Sequence, residues 1–241
     1  MNVCISYDDK FEVLANLACS ELIKANNIVH MNKIIREFPS QDGFGSKKWY
    51  ECIRAKIEFA QKIFDTIDED DCLCVSDSDI YYINSKSIFD LEQYLQNHFL
   101  DFVFPKENLK HDIDDINCGF FVIRKSETTR DFFDIILSNN LYNFKYADQD
   151  LINNYIKKNN IRYELLDPQS YVMGCYMNSV PSIVKEKLVL LHTTCATNFW
   201  EKIGQIVSFN HRFHLPLIKW IDSYDDSIYT KRYINGAKID G

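Results

Sequence analysis

Two aspartates, Asp77 and Asp79, lie two residues apart between short apolar runs in the segment DCLCVSDSDIYYIN at residues 71–84. An apolar run of this length is typical of a strand that is buried on both faces, as in a parallel sheet covered by helices. Side chains at positions i and i+2 of extended backbone point to the same side. The pattern therefore predicts that both carboxylates converge at the carboxyl end of a strand, which is where open α/β sheets bind ligands.

Paired carboxylates at such an edge offer hard oxygen ligands to a metal ion. Mg²⁺ and Mn²⁺ prefer these ligands, and substrate phosphates usually complete their coordination. The alternative is a pair of solvated aspartates in a turn. The flanking apolar runs leave both interpretations open, so the rest of the chain must decide between them.

The composition predicts a globular protein that does not bind nucleic acid. The chain has 241 residues, enough for one large α/β domain, and a net charge of −8. Its Lys and Arg residues form no long block, which disfavours a nucleic-acid-binding surface. The eight cysteines include no Cys-x-x-Cys pair and mostly lie in apolar runs. We therefore expect reduced core thiols rather than a zinc site.

The beginning of the chain and its apolar stretches predict the environment of the protein. The first residues, MNVCISYDD, are typical of a strand and not of a basic segment followed by an apolar one. No apolar stretch approaches the ~18–20 residues that a transmembrane helix needs. We therefore expect a soluble, cytoplasmic protein with neither a signal peptide nor a transmembrane segment.

Predicted strands and helices alternate along most of the chain. A strand at residues 3–6 leads through a loop into a helix, without the Gly-x-Gly-x-x-Gly fingerprint of dinucleotide sites. A second helix, at 49–64, carries Arg54 and Lys56 away from its apolar stripe, and we expect these cations to be solvated. Further strands are predicted at residues 101–105, 117–123 and 188–191, and a helix begins at 147. This alternation predicts an α/β fold with a mostly parallel or mixed sheet.

Four residues at the ends of predicted elements are candidates for a ligand site. Tyr7 and Asp8 follow the first strand, and could stack on a base and accept a hydrogen bond from it, or be ordinary loop residues. Asp148 lies near a helix start and could be only a capping residue. His192 follows the last strand, and a lone histidine there is ordinarily a satisfied core or surface residue.

The order of four motifs adds a family resemblance to this pattern. They are ISYDDKFEVLA at residues 5–15, SDSDIYYI at 76–83, NCGFFVIRKS at 117–126 and ADQDLIN at 147–153. Together with the strand that ends in His192, this set resembles the GT-A fold glycosyltransferases that use nucleotide sugars. The nearest similarity is to the retaining glycogenin-like, lipopolysaccharide galactosyltransferase-like and plant xylosyltransferase-like families. The resemblance covers roughly residues 2–202, and it implies a single-domain, Rossmann-like GT-A fold whose mostly parallel mixed sheet is flanked by helices.

The resemblance implies where the nucleotide and a metal ion would bind. Tyr7 and Asp8 would lie at the base. Asp77 would touch the ribose or the donor sugar and would also ligate Mn²⁺ or Mg²⁺. Asp79 would be the principal carboxylate ligand of that ion, and His192 would be its third protein ligand.

The resemblance also implies which residues surround the donor sugar. Arg54 would sit near the donor phosphates or sugar, and Asn117 and Gly119 would border the sugar site. Asp148 would hold sugar hydroxyls. Gln149 would lie close to the anomeric carbon, on the face opposite the leaving group. The candidate catalytic residues are therefore Asp148 and Gln149.

One motif departs from the family pattern. The family often follows its metal-binding histidine with Gly-x-x-Lys-Pro-Trp, whose lysine binds the diphosphate. Here His192 is followed by TTCATNFWEK, and the nearby lysine, Lys202, has a different spacing. The sequence therefore does not identify the lysine that binds the diphosphate.

The function implied is metal-dependent transfer of a sugar from a nucleotide diphosphate sugar, with a UDP-sugar favoured, to a hydroxyl of a glycan or protein acceptor. Gln149 is a poor nucleophile, so front-face attack with retention is the more natural route. Inversion stays open because carboxylates that could act as a base are present at Asp112, Asp114, Asp115 and Asp148. The acceptor site would be built from residues 38–46, residues 106–116 and the last third of the chain.

We expect the catalytic domain to span residues 1–222 and a polar tail to span 223–241. Two other functions are compatible with parts of the sequence. A Mg²⁺-dependent phosphohydrolase of the haloacid dehalogenase type also uses Asp-x-Asp, but on its first strand and with Thr or Val where this chain has Tyr81. The other is a non-catalytic nucleotide-sugar-binding protein, which the presence of all the metal-ligand residue types disfavours.

Overall fold

The computed structural model describes residues 1–34, 45–107, 116–177, 184–194 and 198–215. Most of the predicted loop at 38–46, most of the segment at 106–116 and the whole predicted tail at 223–241 lie outside these ranges. The strands are β1 (Asn2–Tyr7), β2 (Ile28–Lys33), β3 (Cys72–Asp77), β4 (Ile80–Tyr82), β5 (Phe102–Pro105), β6 (Phe120–Arg124), β7 (Tyr163–Leu166), β8 (Tyr171–Met173) and β9 (Leu190–His192). The helices are α1 (Glu12–Lys24), α2 (Lys47–Thr66), α3 (Lys86–His98), α4 (Phe132–Ser138), α5 (Asp148–Lys158) and α6 (Phe199–Arg212).

A six-stranded sheet in the order β2-β1-β3-β6-β5-β7 forms the centre of the fold. Its neighbouring strands are parallel except at β6, which runs antiparallel to both β3 and β5. This is the mostly parallel mixed sheet that the alternation of elements predicts. The fold-class prediction, an α/β fold with helices flanking the sheet, is confirmed.

Strand β3 is buried on both faces, as its apolar run predicts. Leu73 and Val75 pack in one apolar cluster with residues of α2, α4 and α5. Cys72 and Cys74 point to the opposite face and pack with residues of α1 and α3. Because helices pack on both faces of this strand, they also hold the backbone of Asp77, at its carboxyl end, in a fixed position.

A second sheet, in the order β4-β9-β8, was not predicted from the sequence. Its strands have three residues each, too short for a period-2 pattern to stand out. Strand β4 is antiparallel to β9, and Ile80 is the partner of His192 in that register. The pairing therefore places His192 beside the residue that follows Asp79.

The cysteines at positions 4, 72, 74 and 118 are buried in the core as small apolar residues. No described helix is both long and apolar enough to cross a membrane. The cytoplasmic location stays a prediction.

Candidate metal centre

Three side chains that the sequence singled out converge at the carboxyl edge of β3. Asp77 ends β3, Asp79 lies in the turn before β4, and His192 ends β9. Each offers one ligand atom, and these atoms all lie within 4.8 Å of one another. His192 Nε2 lies 3.8 Å from Asp77 Oδ2 and 3.4 Å from Asp79 Oδ1. The predicted convergence of the two carboxylates is therefore observed, and His192 joins them from the second sheet.

Asn117 orients the imidazole of His192. Asn117 Oδ1 lies 3.0 Å from the backbone nitrogen of Gly119 and 3.0 Å from His192 Nδ1. Since the Gly119 N–H can only donate, the amide oxygen must face it, and Nδ1 of neutral His192 must carry the proton. Nε2 then presents its lone pair to the two carboxylates. The other end of the Asn117 amide donates to Glu107 Oε2 at 2.6 Å.

Gly119 leaves the space that the imidazole occupies. A Cβ atom at this position would lie 2.0 Å from His192 Cε1 and 2.8 Å from both ring nitrogens. The group that approaches the Gly119 backbone closely is therefore the imidazole of His192. The predicted roles of Asn117 and Gly119 at a donor sugar stay predictions.

The donor set fits Mg²⁺ or Mn²⁺. Two carboxylates and an imidazole with a free Nε2 lone pair are ligands of the right chemistry. The second partner of the imidazole, Asn117, is of the kind that ordinarily fixes metal-binding histidines. The side chains of Asp77 and Asp79 are 31% and 13% exposed, so solvent reaches the cluster. The identity of the ion stays a prediction.

Lys56 of α2 is buried in this site, which corrects the expectation that it is solvated. Its Nζ lies 3.2 Å from Asp77 Oδ1, 2.8 Å from Asp148 Oδ2 and 3.3 Å from the carbonyl oxygen of Cys118. Burial lowers the pKa of Lys56, but the neighbouring carboxylates of Asp148 and Asp77 outweigh it and raise that pKa above its ordinary value. The ammonium therefore stays charged and holds the two carboxylates together.

Arg54 lies on the opposite, exposed side of α2. Its Nε donates to Glu58 Oε1 at 3.0 Å, and both side chains are 48% exposed. The expectation that Lys56 lies away from the apolar stripe of α2 is wrong, because Lys56 comes three residues after Ile53 and four before Ala60 and therefore lies on that stripe. The structure does not bring Arg54 to the carboxylate cluster, and its predicted contact with the donor stays a prediction.

Asp148 and Gln149 open α5 next to the segment that carries Asn117. Asp148 Oδ1 accepts from the backbone N–H of Gln149 at 3.1 Å, while its Oδ2 faces Lys56. Gln149 Oε1 accepts from the Cys118 N–H at 3.3 Å. The preceding residue, Ala147, has a φ of 45°, a conformation that costs a non-glycine residue about 1–3 kcal/mol. Asp148 is therefore more than a capping residue, because its side chain is buried against Lys56.

Tyr7 and Asp8 lie at the same edge of the sheet, because Ser6 of β1 is in register with Asp77 of β3. Asp8 is buried, and its Oδ1 accepts from the backbone N–H groups of Lys10 and Phe11 at 3.0 and 3.2 Å. Asp8 thus caps the turn that leads into α1. The predicted contacts of Tyr7 and Asp8 with a base stay predictions.

Lys202 of α6 reaches the carboxylate cluster despite its different spacing from the family lysine. Its Nζ donates to Asp79 Oδ2 and, at 2.8 Å, to the carbonyl oxygen of Thr193, and it lies 5.6 Å from the ring centre of Phe11. Burial raises the pKa of Asp79, but its charged and hydrogen-bonding neighbours, Lys202 foremost, outweigh burial and hold that pKa well below its usual range. Asp79 therefore stays ionised.

Comparison with known proteins identifies the family. A family model described as nucleotide-diphospho-sugar transferase matches residues 17–205, more than half of the chain. The chain belongs to the nucleotide-diphospho-sugar transferase family. The matched range includes both aspartates of the pair, His192 and Lys202. Membership of this transferase family removes the support for a phosphohydrolase and confirms the resemblance drawn from the four motifs.

Solved structures agree with a transferase fold. A glycosyltransferase involved in the glycosylation of the major capsid of PBCV-1 superposes with a TM-score of 0.61 at 13% identity, covering 85% of this chain and 98% of that one. The glycosyltransferase GlyE of Streptococcus pneumoniae TIGR4 gives a TM-score of 0.50 at 16% identity, covering 98% of this chain and 65% of that one. The transferase chain described here thus spans less than two thirds of GlyE. A comparison with curated proteins gave no match.

Proposed function

We propose that this glycosyltransferase moves a sugar from a nucleotide diphosphate sugar, with a UDP-sugar favoured, to a hydroxyl of a glycan or protein. Asp77, Asp79 and His192 would hold Mn²⁺ or Mg²⁺. The observation that carries the proposal is the convergence of these three ligand atoms within 4.8 Å, in a chain of the nucleotide-diphospho-sugar transferase family. The position of the cluster, at the carboxyl edge of a central parallel strand, supports it.

Breaking the bond between the anomeric carbon and the diphosphate builds positive charge on the sugar and negative charge on the leaving group. A divalent ion, when bound, would act as a Lewis acid and stabilise the leaving diphosphate by several kcal/mol. Asp77 and Asp79 would hold that ion, and Lys56 would keep Asp77 and Asp148 in fixed positions. Asp148 would orient the donor sugar through its hydroxyl groups.

The geometry around Gln149 supports transfer with retention. Gln149 is held against the backbone of residue 118 and has no carboxylate to act as a nucleophile. Both oxygens of Asp148 are engaged, one by a backbone N–H and one by Lys56, which leaves it poorly placed as a base for an inverting route. We therefore propose front-face attack by the acceptor, assisted by the leaving phosphate. Asp112, Asp114 and Asp115 lie outside the described residues.

The first test is hydrolysis of a panel of UDP-, GDP- and dTDP-sugars without acceptor, with and without Mn²⁺. We expect slow, metal-dependent release of one nucleotide. The variant Asp77→Ala/Asp79→Ala should lower the rate by at least ~100-fold, since even residues that only orient metal ligands are worth about 10–100-fold. The double variant Asp65→Ala/Asp68→Ala, which removes two exposed aspartates, is the matched control and should keep the wild-type rate.

Two results would contradict the proposal. No nucleotide release from any donor, together with no Mn²⁺-dependent nucleotide binding, would indicate a non-catalytic protein of the same fold. Once an acceptor is found, NMR of the new glycosidic bond should show the anomeric configuration of the donor. An inverted product would overturn retention while leaving glycosyl transfer intact.

A further inference from the structure

Each aspartate of the Asp-x-Asp pair has its own buried ammonium partner. Lys56 contacts Asp77, and Lys202 contacts Asp79. Both lysines are less than a tenth exposed. A divalent ion at this cluster would therefore join a site that already holds two positive charges.

The two lysines are anchored differently. Lys56 contacts two carboxylates, Oδ1 of Asp77 and Oδ2 of Asp148. The other oxygen of Asp77, Oδ2, faces His192. Lys56 would keep a carboxylate partner even if Asp77 turned toward an ion. Among the described residues, Lys202 has a single carboxylate partner, Asp79, and its other contacts there are the neutral carbonyl of Thr193 and the ring of Phe11.

The charge of Lys202 therefore acts directly against an ion on Asp79. The ammonium of Lys202 on one oxygen of Asp79 makes the other oxygen a weaker ligand for a cation. The ammonium and a metal ion on the same carboxylate would also repel each other strongly in a partly buried site. A diphosphate would change this balance, because its negative charges attract both the lysine and the metal ion.

We propose that Lys202 is an internal counter-ion of Asp79 that weakens binding of a divalent metal ion to the donor-free protein, so that metal ion and nucleotide diphosphate bind as a pair. This inference rests on the proposed function, since it assigns Lys202 a role in metal affinity at the same site. It makes the metal and the diphosphate reciprocal effectors: each raises the affinity of the other by the same factor.

The test measures Mn²⁺ binding by the loss of the free-ion electron paramagnetic resonance signal, without nucleotide and then with UDP, GDP or dTDP. Lys202→Met and Lys202→Gln should bind Mn²⁺ alone at least ~10-fold tighter than the wild type, within the range typical of couplings between sites. The enhancement of Mn²⁺ binding by the nucleotide should shrink by a similar factor. Lys202→Arg keeps the charge and should stay within about threefold of the wild type. Lys158→Met, at the exposed carboxyl end of α5, is the control and should change nothing.

Unchanged or weaker Mn²⁺ binding by folded Lys202→Met and Lys202→Gln would overturn the inference. If both variants fail to fold, amine labelling of the wild type decides, read by mass spectrometry. Mn²⁺ alone should speed labelling of Lys202 and leave Lys56 protected, and an unchanged rate at Lys202 would count against the inference. Wild-type protein that binds no Mn²⁺ with any nucleotide would instead contradict the proposed metal-dependent transfer, so the two failures are distinguishable.

Discussion

The imidazole of His192 is held in place by two neighbours on one short segment. Asn117 accepts from Nδ1, and Gly119 provides the space against its backbone. The ring is buried, so it has little freedom to move away if that space is filled. At the scale of single residues, the geometry of the metal centre therefore depends on the absence of a Cβ atom at Gly119.

Gly119→Ala should disable the metal centre without removing any ligand. The new Cβ would lie 2.0 Å from His192 Cε1, closer than atoms can approach, so the ring must shift. We expect nucleotide-dependent Mn²⁺ affinity to fall about 10–100-fold, the range measured when residues that orient metal ligands are replaced. Titration with Mn²⁺ in the presence of the bound nucleotide measures this loss.

A double-mutant cycle with His192→Ala gives the control for Gly119→Ala. If alanine at 119 acts through the ring, removing the ring takes away the clash, and the double variant should bind Mn²⁺ no worse than His192→Ala alone. Additive losses would show that Gly119 acts by another route.

The sequence could predict part of this centre at the residue scale. Asp77 and Asp79 were predicted to converge because their i, i+2 spacing on a strand is a local property. The third member, His192, was placed only by family resemblance. Its contacts with Asn117 and Gly119 join segments more than 70 positions apart, which no local pattern encodes.

Helix α2 supplies the buried ammonium that ties β3 to α5. Replacing Lys56 by Met would leave two buried carboxylates, Asp77 and Asp148, without their shared cation. Removing one partner of a buried ion pair typically costs about 3–5 kcal/mol. We expect Lys56→Met to lower the free energy of unfolding by an amount in that range, measured by urea denaturation.

Arg54→Met is the matched control on the same helix. Its pair with Glu58 is half exposed, and such pairs contribute about 0–1 kcal/mol. The free energy of unfolding should therefore change by less than about 1 kcal/mol. Equal losses in Lys56→Met and Arg54→Met would contradict the assignment of Lys56 as the cation that organises the site.

Element-scale prediction succeeded where an element is long or fully buried. The apolar run at β3 and the apolar stripe of α2 predicted the positions of both elements correctly. The expected exposure of Lys56 was wrong, because a cation on a helix is ordinarily solvated. The strand predicted at residues 188–191 corresponds to β9, but its pairing with β4 and β8 in a second sheet was not predicted, because strands of three residues carry too little pattern. Yet this second sheet delivers His192, and α6 behind it delivers Lys202.

At the scale of the whole molecule, the alternation of elements was enough to predict the α/β fold and its mixed sheet. The site lies where the two sheets meet, and its side chains come from both sheets and from the helices packed on them. Three carboxylates, from Asp77, Asp79 and Asp148, face two ammonium groups, from Lys56 and Lys202, which leaves one negative charge among these five side chains. A divalent ion would reverse that sign, so an acidic protein of net charge −8 could bind a diphosphate.

The same charges predict opposite effects of pH on stability for the two aspartates of the pair. Burial raises the pKa of Asp79, but its charged and hydrogen-bonding neighbours, Lys202 foremost, outweigh burial and hold that pKa well below its ordinary value of 3.8. Its ionised form therefore stabilises the folded state fully above about pH 3.8, and this stabilisation is lost as pH falls toward the folded pKa. Asp79→Asn should thus be less stable than the wild type at pH 7, and the difference should shrink below pH 4.

Asp77 is the matched control, because it is the same residue type two positions away. Burial raises its pKa more than Lys56 lowers it, so folding favours its protonated form. Stability that depends on this group is present at low pH and is lost as pH rises through the raised pKa. The difference between wild type and Asp77→Asn should therefore move in favour of the wild type on acidification, opposite to Asp79→Asn. Urea denaturation from pH 7 to pH 3 measures both differences, and parallel pH profiles for the two variants would contradict the assignment of Lys202 as the cation that keeps Asp79 ionised.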